Sequence, residues 1–246
     1  MADLQYSPIQ EVVCEFRFSK DTEWKGDLAS ILYDKLKDDF PEKKQKISHK
    51  LELKANVKGI ESQKAEPVSN DIFLSEDGKI LIQIYPRMIS VNCLKPYPSW
   101  EIFSQKIDQV YSTLQEIVEI KEIDRIGLLY INKIEIEDKK FELRDYFNFY
   151  PHVSPQFPQD VANFIVGCEF VHKNGAELSK LDLGRTFPSK KESNAFLLRE
   201  EYYTAPNYSV RPEDAIEWIE NAHMELKKLF NGCITEKMKE SFNEIK

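Results

Sequence analysis

Between Pro8 and Phe18 the chain reads PIQEVVCEFRF, with Val12, Cys14, Phe16 and Phe18 alternating with Glu11, Val13, Glu15 and Arg17. A period of two sends one set toward a core and the other toward solvent, so the segment predicts a strand with one apolar and one largely charged face. Arg125 to Glu137 (RIGLLYINKIEIE) has the same character and predicts a structural counterpart. After the first strand, Leu28, Ile31, Leu32 and Leu36 fall at helical spacing, with Asp21 or Thr22 as the cap and Pro41 as the stop. PEKKQKISHK reads as a basic loop, Leu51 to Val57 as an alternating strand, and residues 59 to 70 as a longer connection. A hairpin series follows: Ile72 to Leu74, Lys79 to Tyr85 and Met88 to Leu94, joined by turns at Glu76-Asp77-Gly78 and Pro86-Arg87.

Ser99 caps the clearest helix, where Trp100, Phe103, Ile107, Val110, Leu114 and Ile117 recur every three or four residues. Beyond the Ile126 strand come a short helix or turn around Arg144 to Phe149 and strands near Ala162–His172, Ala176–Gly184 and Ala195–Thr204. A helix from about Pro212 to Phe230 carries Ala215, Ile219, Ala222, Leu226 and Leu229, with Gly232 just past its end. A short terminal helix, capped by Thr235, presents Met238 and Phe242.

The fold class is therefore α+β, and the order of elements nearly repeats. Residues 1–120 form a β-α-β4-α unit and 121–246 a β-α-β3-α unit with a C-terminal helix. This element order is shared with TATA-binding-protein-like and helix-grip folds. Each unit predicts an antiparallel sheet with a long helix on one face, and two units could join edge to edge into one broad curved sheet.

Composition narrows the partners. The chain has 246 residues and is 41% hydrophobic, enough for a sizeable core. Lys and Arg number 34 against 42 Asp and Glu, and the net charge of −8 disfavours nucleic acid and anionic membranes as partners. No signal peptide or spanning helix is legible, which predicts a cytoplasmic protein. The four cysteines, at 14, 93, 168 and 233, form no CxxC pair, so neither a metal cluster nor a disulfide framework is expected, and Cys14 belongs to the core.

Candidate chemistry is sparse. There is no GxxxxGK[ST], GxGxxG, HExxH or GxSxG, so no catalytic residue, metal or cofactor is assigned. Glu11, Glu15 and Arg17 share the charged face of the first strand, and Arg125, Lys133, Glu135 and Glu137 lie on the polar side of its counterpart. Neighbouring strands would make these a carboxylate–guanidinium network, read first as cross-strand salt bridging and second as the lining of a groove. Asn132 sits on the apolar parity of its strand and calls for a buried partner. His152, in the loop YPHVSPQFP, is the best placed histidine for a site, whereas His223 reads as a helix-surface or half-buried residue. Lys43, Lys44 and Lys46 open a lysine-rich stretch that could touch phosphates, and Arg185, Lys190 and Lys191 form a second. Clusters at Tyr146, Phe147, Phe149 and Tyr150 and at Tyr202, Tyr203 and Tyr208 suit exposed interface loops.

PxxEVVCExRF, the Tyr97-Pro98-Ser99-Trp100 group and RIGLLYIN together resemble a sporadically distributed family of uncharacterised bacterial proteins of about this length. Leu129 stands where that family commonly shows a basic residue. The resemblance implies horizontally spread genes near mobile-element or phage-defence loci, and supplies no catalytic residues.

The leading functional expectation is a non-enzymatic accessory or regulatory subunit that binds another protein, one encoded nearby, with a homodimer as a second arrangement. The alternatives are a ligand-binding or enzymatic helix-grip domain, anchored by Glu11, Glu15, Arg17 or Asn132, and a nucleic-acid module working through the lysine-rich stretch.

Overall fold

The computed structural model describes residues 7–56, 59–138, 140–159, 161–190 and 192–244, with backbone alone for 47–56, 59–69 and 243–244. Among these residues nine strands form one sheet: β1 (Ile9–Phe18), β2 (Glu42–Asn56), β3 (Gly59–Leu74), β4 (Ile80–Tyr85), β5 (Met88–Leu94), β6 (Ile123–Ile136), β7 (Ile165–His172), β8 (Glu177–Thr186) and β9 (Asn194–Thr204). Five α-helices accompany them: α1 (Leu28–Leu36), α2 (Trp100–Ile117), α3 (Leu143–Tyr146), α4 (Ala215–Cys233) and α5 (Glu236–Glu244). The strand order is β2-β3-β4-β5-β1-β6-β9-β8-β7, and every pairing is antiparallel.

The seam lies between β1 and β6, which pair with Cys14 opposite Leu128 and Glu15 opposite Gly127. Strands from before residue 120 thus fill one side of the sheet and those from after it the other. The alternation read in β1 is realised: Val12, Cys14, Phe16 and Phe18 are buried, while Glu11, Val13, Glu15 and Arg17 lie on the less covered face. Buried residues of α1, α2 and α4 belong to the same apolar cluster as Val12, Cys14 and Phe16, so these helices cover that one face.

Ser99 caps α2 as its sequence requires, its Oγ accepting from the Ile102 N–H at 3.2 Å. The helix buries Phe103, Ile107, Val110, Tyr111 and Leu114. Each such side chain contributes roughly 1.5–3 kcal/mol by leaving water. Tyr111 stacks on Phe16 at 4.9 Å and donates its hydroxyl to the Pro212 carbonyl, fixing α2 to both the sheet and the start of α4. A second cluster, with Phe147, Phe196, Leu198, Phe230, Met238 and Phe242, fills the far half beneath α3, α5 and the end of α4.

Several elements depart from the sequence reading. The lysine-rich segment is part of β2 and residues 59–70 are part of β3, two long strands paired along their whole length. Their pairing rests on backbone hydrogen bonds, so an apolar pattern was a poor guide to it. The side-chain alternation expected over Leu51–Val57, and the lysines past Lys46 in that stretch, fall outside the described side chains, as does Lys191. Asp27 rather than Asp21 or Thr22 precedes α1, because Thr22 is buried against Ser19 at 3.4 Å. Helix α4 continues through Gly232 to Cys233. Of the aromatic groups expected in exposed loops, Tyr146, Phe147 and Tyr202 are buried, Phe149 and Tyr203 half-buried, and Tyr150 and Tyr208 exposed. Cys14 is fully buried, and burial pushes its thiol far up from the ordinary range.

Candidate functional site

The uncovered face of the sheet brings together four of the expected site residues. Arg125 of β6 bridges Glu15 of β1 at 2.8 Å and Glu201 of β9, and Glu15 also accepts from the Arg17 Nε at 2.7 Å. Room for the guanidinium comes from Gly127, two residues along the same face, where a Cβ would approach the Arg125 Nη1 at 3.2 Å. The guanidinium also lies over the Tyr203 ring at 4.8 Å, and Tyr203 donates to Glu169 of β7 at 2.5 Å. On the other side of β1, Glu11 accepts from Asn92 at 2.7 Å, and Asn92 accepts from Ser90 at 2.9 Å. Polar contacts on this face thus involve side chains of five strands, β5, β1, β6, β9 and β7.

Chemically this lattice suits recognition more than acid–base work. Arg125 neutralises two carboxylates, no nucleophile bonds to either, and each pair is only partly screened from water, where an ion pair contributes about 0–1 kcal/mol. The sequence groups Tyr203 only with an aromatic cluster and does not single out Glu201, since it is the β6–β9 pairing that brings both beside Arg125.

Asn132 lies on the opposite, helix-covered face. It is fully buried and its Nδ2 donates to Glu200 of β9 at 3.0 Å. Glu200 is equally buried, and loss of hydration holds its carboxyl well above the usual carboxylate range, partly offset by the Asn132 bond. The Asn132 Oδ1 and Glu200 Oε1 have no partner among the described residues. Glu200 could have been found: in LLREEYYT two adjacent glutamates must fall on opposite faces, and Glu200 shares parity with Leu198 and Tyr202. A neighbouring buried carboxylate, Glu177, accepts from the Trp218 Nε1 at 2.8 Å and from the Tyr202 hydroxyl, tying α4 to β8 and β9.

His223 is buried rather than half-exposed. Its Nδ1 bonds the Tyr130 hydroxyl at 2.9 Å, and its ring stacks on Trp100 at 4.0 Å. Burial lowers it to about 4.

His152 is exposed and lines a groove of about 840 Å³ with Arg144, Tyr150, Phe164 and Arg185, separate from the charged lattice. Lys43 of β2 alternates with Lys44 and Lys46, so these three do not make a one-sided patch. The Lys43 Nζ lies over the Tyr33 and Phe73 rings and pairs with Asp71 at 3.6 Å, Lys44 pairs with Glu42 at 2.9 Å, and all three lysines are exposed. Among the described residues no cluster of His, Cys, Asp and Glu has the makings of a metal site, and no helix is long and apolar enough to cross a membrane.

Comparison with family models, with curated proteins and with solved structures finds no match to the chain.

Proposed function

We propose that the protein is a non-enzymatic binding module, an accessory or regulatory subunit of a bacterial defence or mobile-element system, that engages another protein through strand addition at β7. The observation that carries the proposal is the contrast between the two edges of the sheet. Among the described residues strand β7 pairs only with β8, and its outer backbone groups are a template for another strand. Its sequence, IVGCEFVH, has no lysine or proline to blunt pairing, and Ile165 is 81% and Val171 70% exposed. The opposite edge, β2, carries Lys43, Lys44, Lys46, Lys50 and Lys54 in its sequence, the usual defence against such pairing. Ile165 and Val171 share one face of β7 with Glu169 between them, so an extended partner segment with apolar residues flanking a basic one would fit.

The strand order supports reading the chain as a repeated β-α-β(n)-α unit, with β2-β3-β4-β5-β1 and β6-β9-β8-β7 joined through their first strands. In that reading the unguarded edge belongs to the second unit alone. The shorter second unit leaves β7 without a further strand to cover it.

The test is co-expression with the product of the neighbouring gene, followed by affinity capture and light scattering. The wild-type chain is expected to hold that product, and Ile165→Lys with Val171→Lys to weaken capture at least about a hundredfold while leaving the melting temperature nearly unchanged, because both side chains are on the surface. Capture that survives the double substitution would exclude the edge. Loss of a homodimer instead would assign the edge to a second copy of the chain.

A further inference from the structure

Four cationic side chains converge on one groove in a chain whose net charge is −8. The groove, about 840 Å³, opens where the end of β1, the β4–β5 turn, the start of β6 and the end of β9 meet, and is lined by Arg17, Lys20, Arg87 and Arg125 with Asp124 as its single acidic residue. Glu15 holds Arg17 and Arg125 in place, at 2.7 and 2.8 Å. Lys20 and Arg87 have no carboxylate partner among the described residues. Two unneutralised cations thus stand beside two that the fold has fixed.

Arg87 is placed at a conformational cost. It follows Pro86 in the β4–β5 turn with φ of 55°, a position where glycine or asparagine is preferred, and a non-glycine residue there costs on the order of 1 kcal/mol. Its carbonyl accepts from the Phe18 N–H at 2.9 Å, clamping the turn to the end of β1 beside Arg17 and Lys20. Stability alone would favour glycine at this position.

We propose that this groove binds a phosphate-bearing small molecule of nucleotide size, with its phosphate on Arg87, Lys20 and Arg17 and its ring against Tyr85. A phosphate accepts several charge-assisted hydrogen bonds from guanidinium and ammonium groups, and the groove's four cations outnumber Asp124, its one lining carboxylate. The volume is far more than inorganic phosphate needs and lies within the roughly 300–1,000 Å³ of small-molecule sites. Tyr85 lines the groove and is half-buried, whereas the Tyr203 ring is already covered by Arg125. A long polyanion is disfavoured because it would leave the groove and cross an acidic surface. The site is independent of the β7 edge.

Titration calorimetry at low salt with adenosine monophosphate, inorganic phosphate and adenosine tests the assignment. The monophosphate is expected to bind saturably and at least about tenfold more tightly than either fragment, and Arg87→Ala and Lys20→Ala each to weaken it about tenfold. Neither side chain holds the fold together, so thermal melting should be unchanged, and Lys44→Ala on the distant β2 edge should bind as wild type. The proposal fails if no saturable binding is seen at low millimolar concentration, or if Arg87→Ala and Lys20→Ala bind normally. Inorganic phosphate binding as tightly as the nucleotide would remove the ring contact and with it the nucleotide-sized ligand. A single-stranded oligonucleotide binding more tightly than the monophosphate, with affinity falling steeply in salt, would also overturn it.

Discussion

Replacing Asn132 with leucine is expected to cost about 3 kcal/mol of folding stability, and replacing Glu200 with leucine in the same chain to return most of it. Among the described residues, the single change removes the one hydrogen-bond partner of a buried carboxyl, the Nδ2 bond at 3.0 Å. The double change removes donor and acceptor together and lets apolar side chains fill the space, which is often neutral or stabilising. A double-mutant cycle by denaturant unfolding reads the coupling directly, and additive effects would mean that the two groups do not act as a pair. The same pair sets a pH dependence. Because the folded carboxyl is raised above its unfolded value, its contribution is fully present below about pH 4.3 and declines as pH rises toward the folded value, by up to about 1.4 kcal/mol per unit. Glu200→Gln should flatten that decline.

The position of this pair gives it structural meaning. Asn132 sits between Tyr130 and Ile134 on the covered face of β6, and Glu200 between Leu198 and Tyr202 on that of β9. Tyr130 and Tyr202 belong to one apolar cluster, Ile134 and Leu198 to the other. The polar pair therefore marks the boundary where the core under α2 gives way to the core under α3 and α5.

How far the sequence reached depended on how local the cause was. Strands β1 and β6 were legible because burial of one face imprints a period of two. The Ser99 cap and the apolar stripe of α2 were legible because a helix is specified within a few turns. Strands β2 and β3 were missed over much of their length because a lysine-rich edge pair is held by its backbone, and PEKKQKISHK carries no apolar alternation. The lattice around Arg125 was half legible. Glu15, Arg17 and Arg125 could be grouped once β1 and β6 were imagined as neighbours, whereas Glu201 and Tyr203 reach it through a pairing some seventy residues away in sequence. The basic groove was not legible, because Arg17, Lys20, Arg87 and Arg125 come from separate elements that only the folded sheet gathers. His223 was misjudged because α4 offers two covered faces near its middle, one against the sheet and one against Trp100 of α2.

Substituting His223 by phenylalanine is expected to destabilise the protein at neutral pH and to remove much of its sensitivity to acid. The neutral imidazole is bonded to the Tyr130 hydroxyl, stacked on Trp100, whose indole N–H donates to Glu220 at 2.8 Å, and faces the positive charge of Lys227 from its own helix. Phenylalanine keeps the stacking and removes the bond to the Tyr130 hydroxyl, a loss of about 1–2 kcal/mol. Protonation works in the other direction. Since the folded histidine is lowered to about 4 and the unfolded one titrates near 6.5, the unfolded chain takes up the proton first as pH falls. The stability that neutral His223 contributes is present above about pH 6.5 and is lost between there and pH 4, amounting to about 3 kcal/mol. The carboxylates, Glu200 included, titrate alike in both proteins, so the difference between wild type and His223→Phe isolates the imidazole. Urea unfolding at pH 7 and at pH 4.5 should show the phenylalanine variant less stable at the first and equal or more stable at the second. Parallel stability curves across that range would mean that His223 takes up its proton in the folded state as readily as in the unfolded one, contrary to its buried bond with Tyr130.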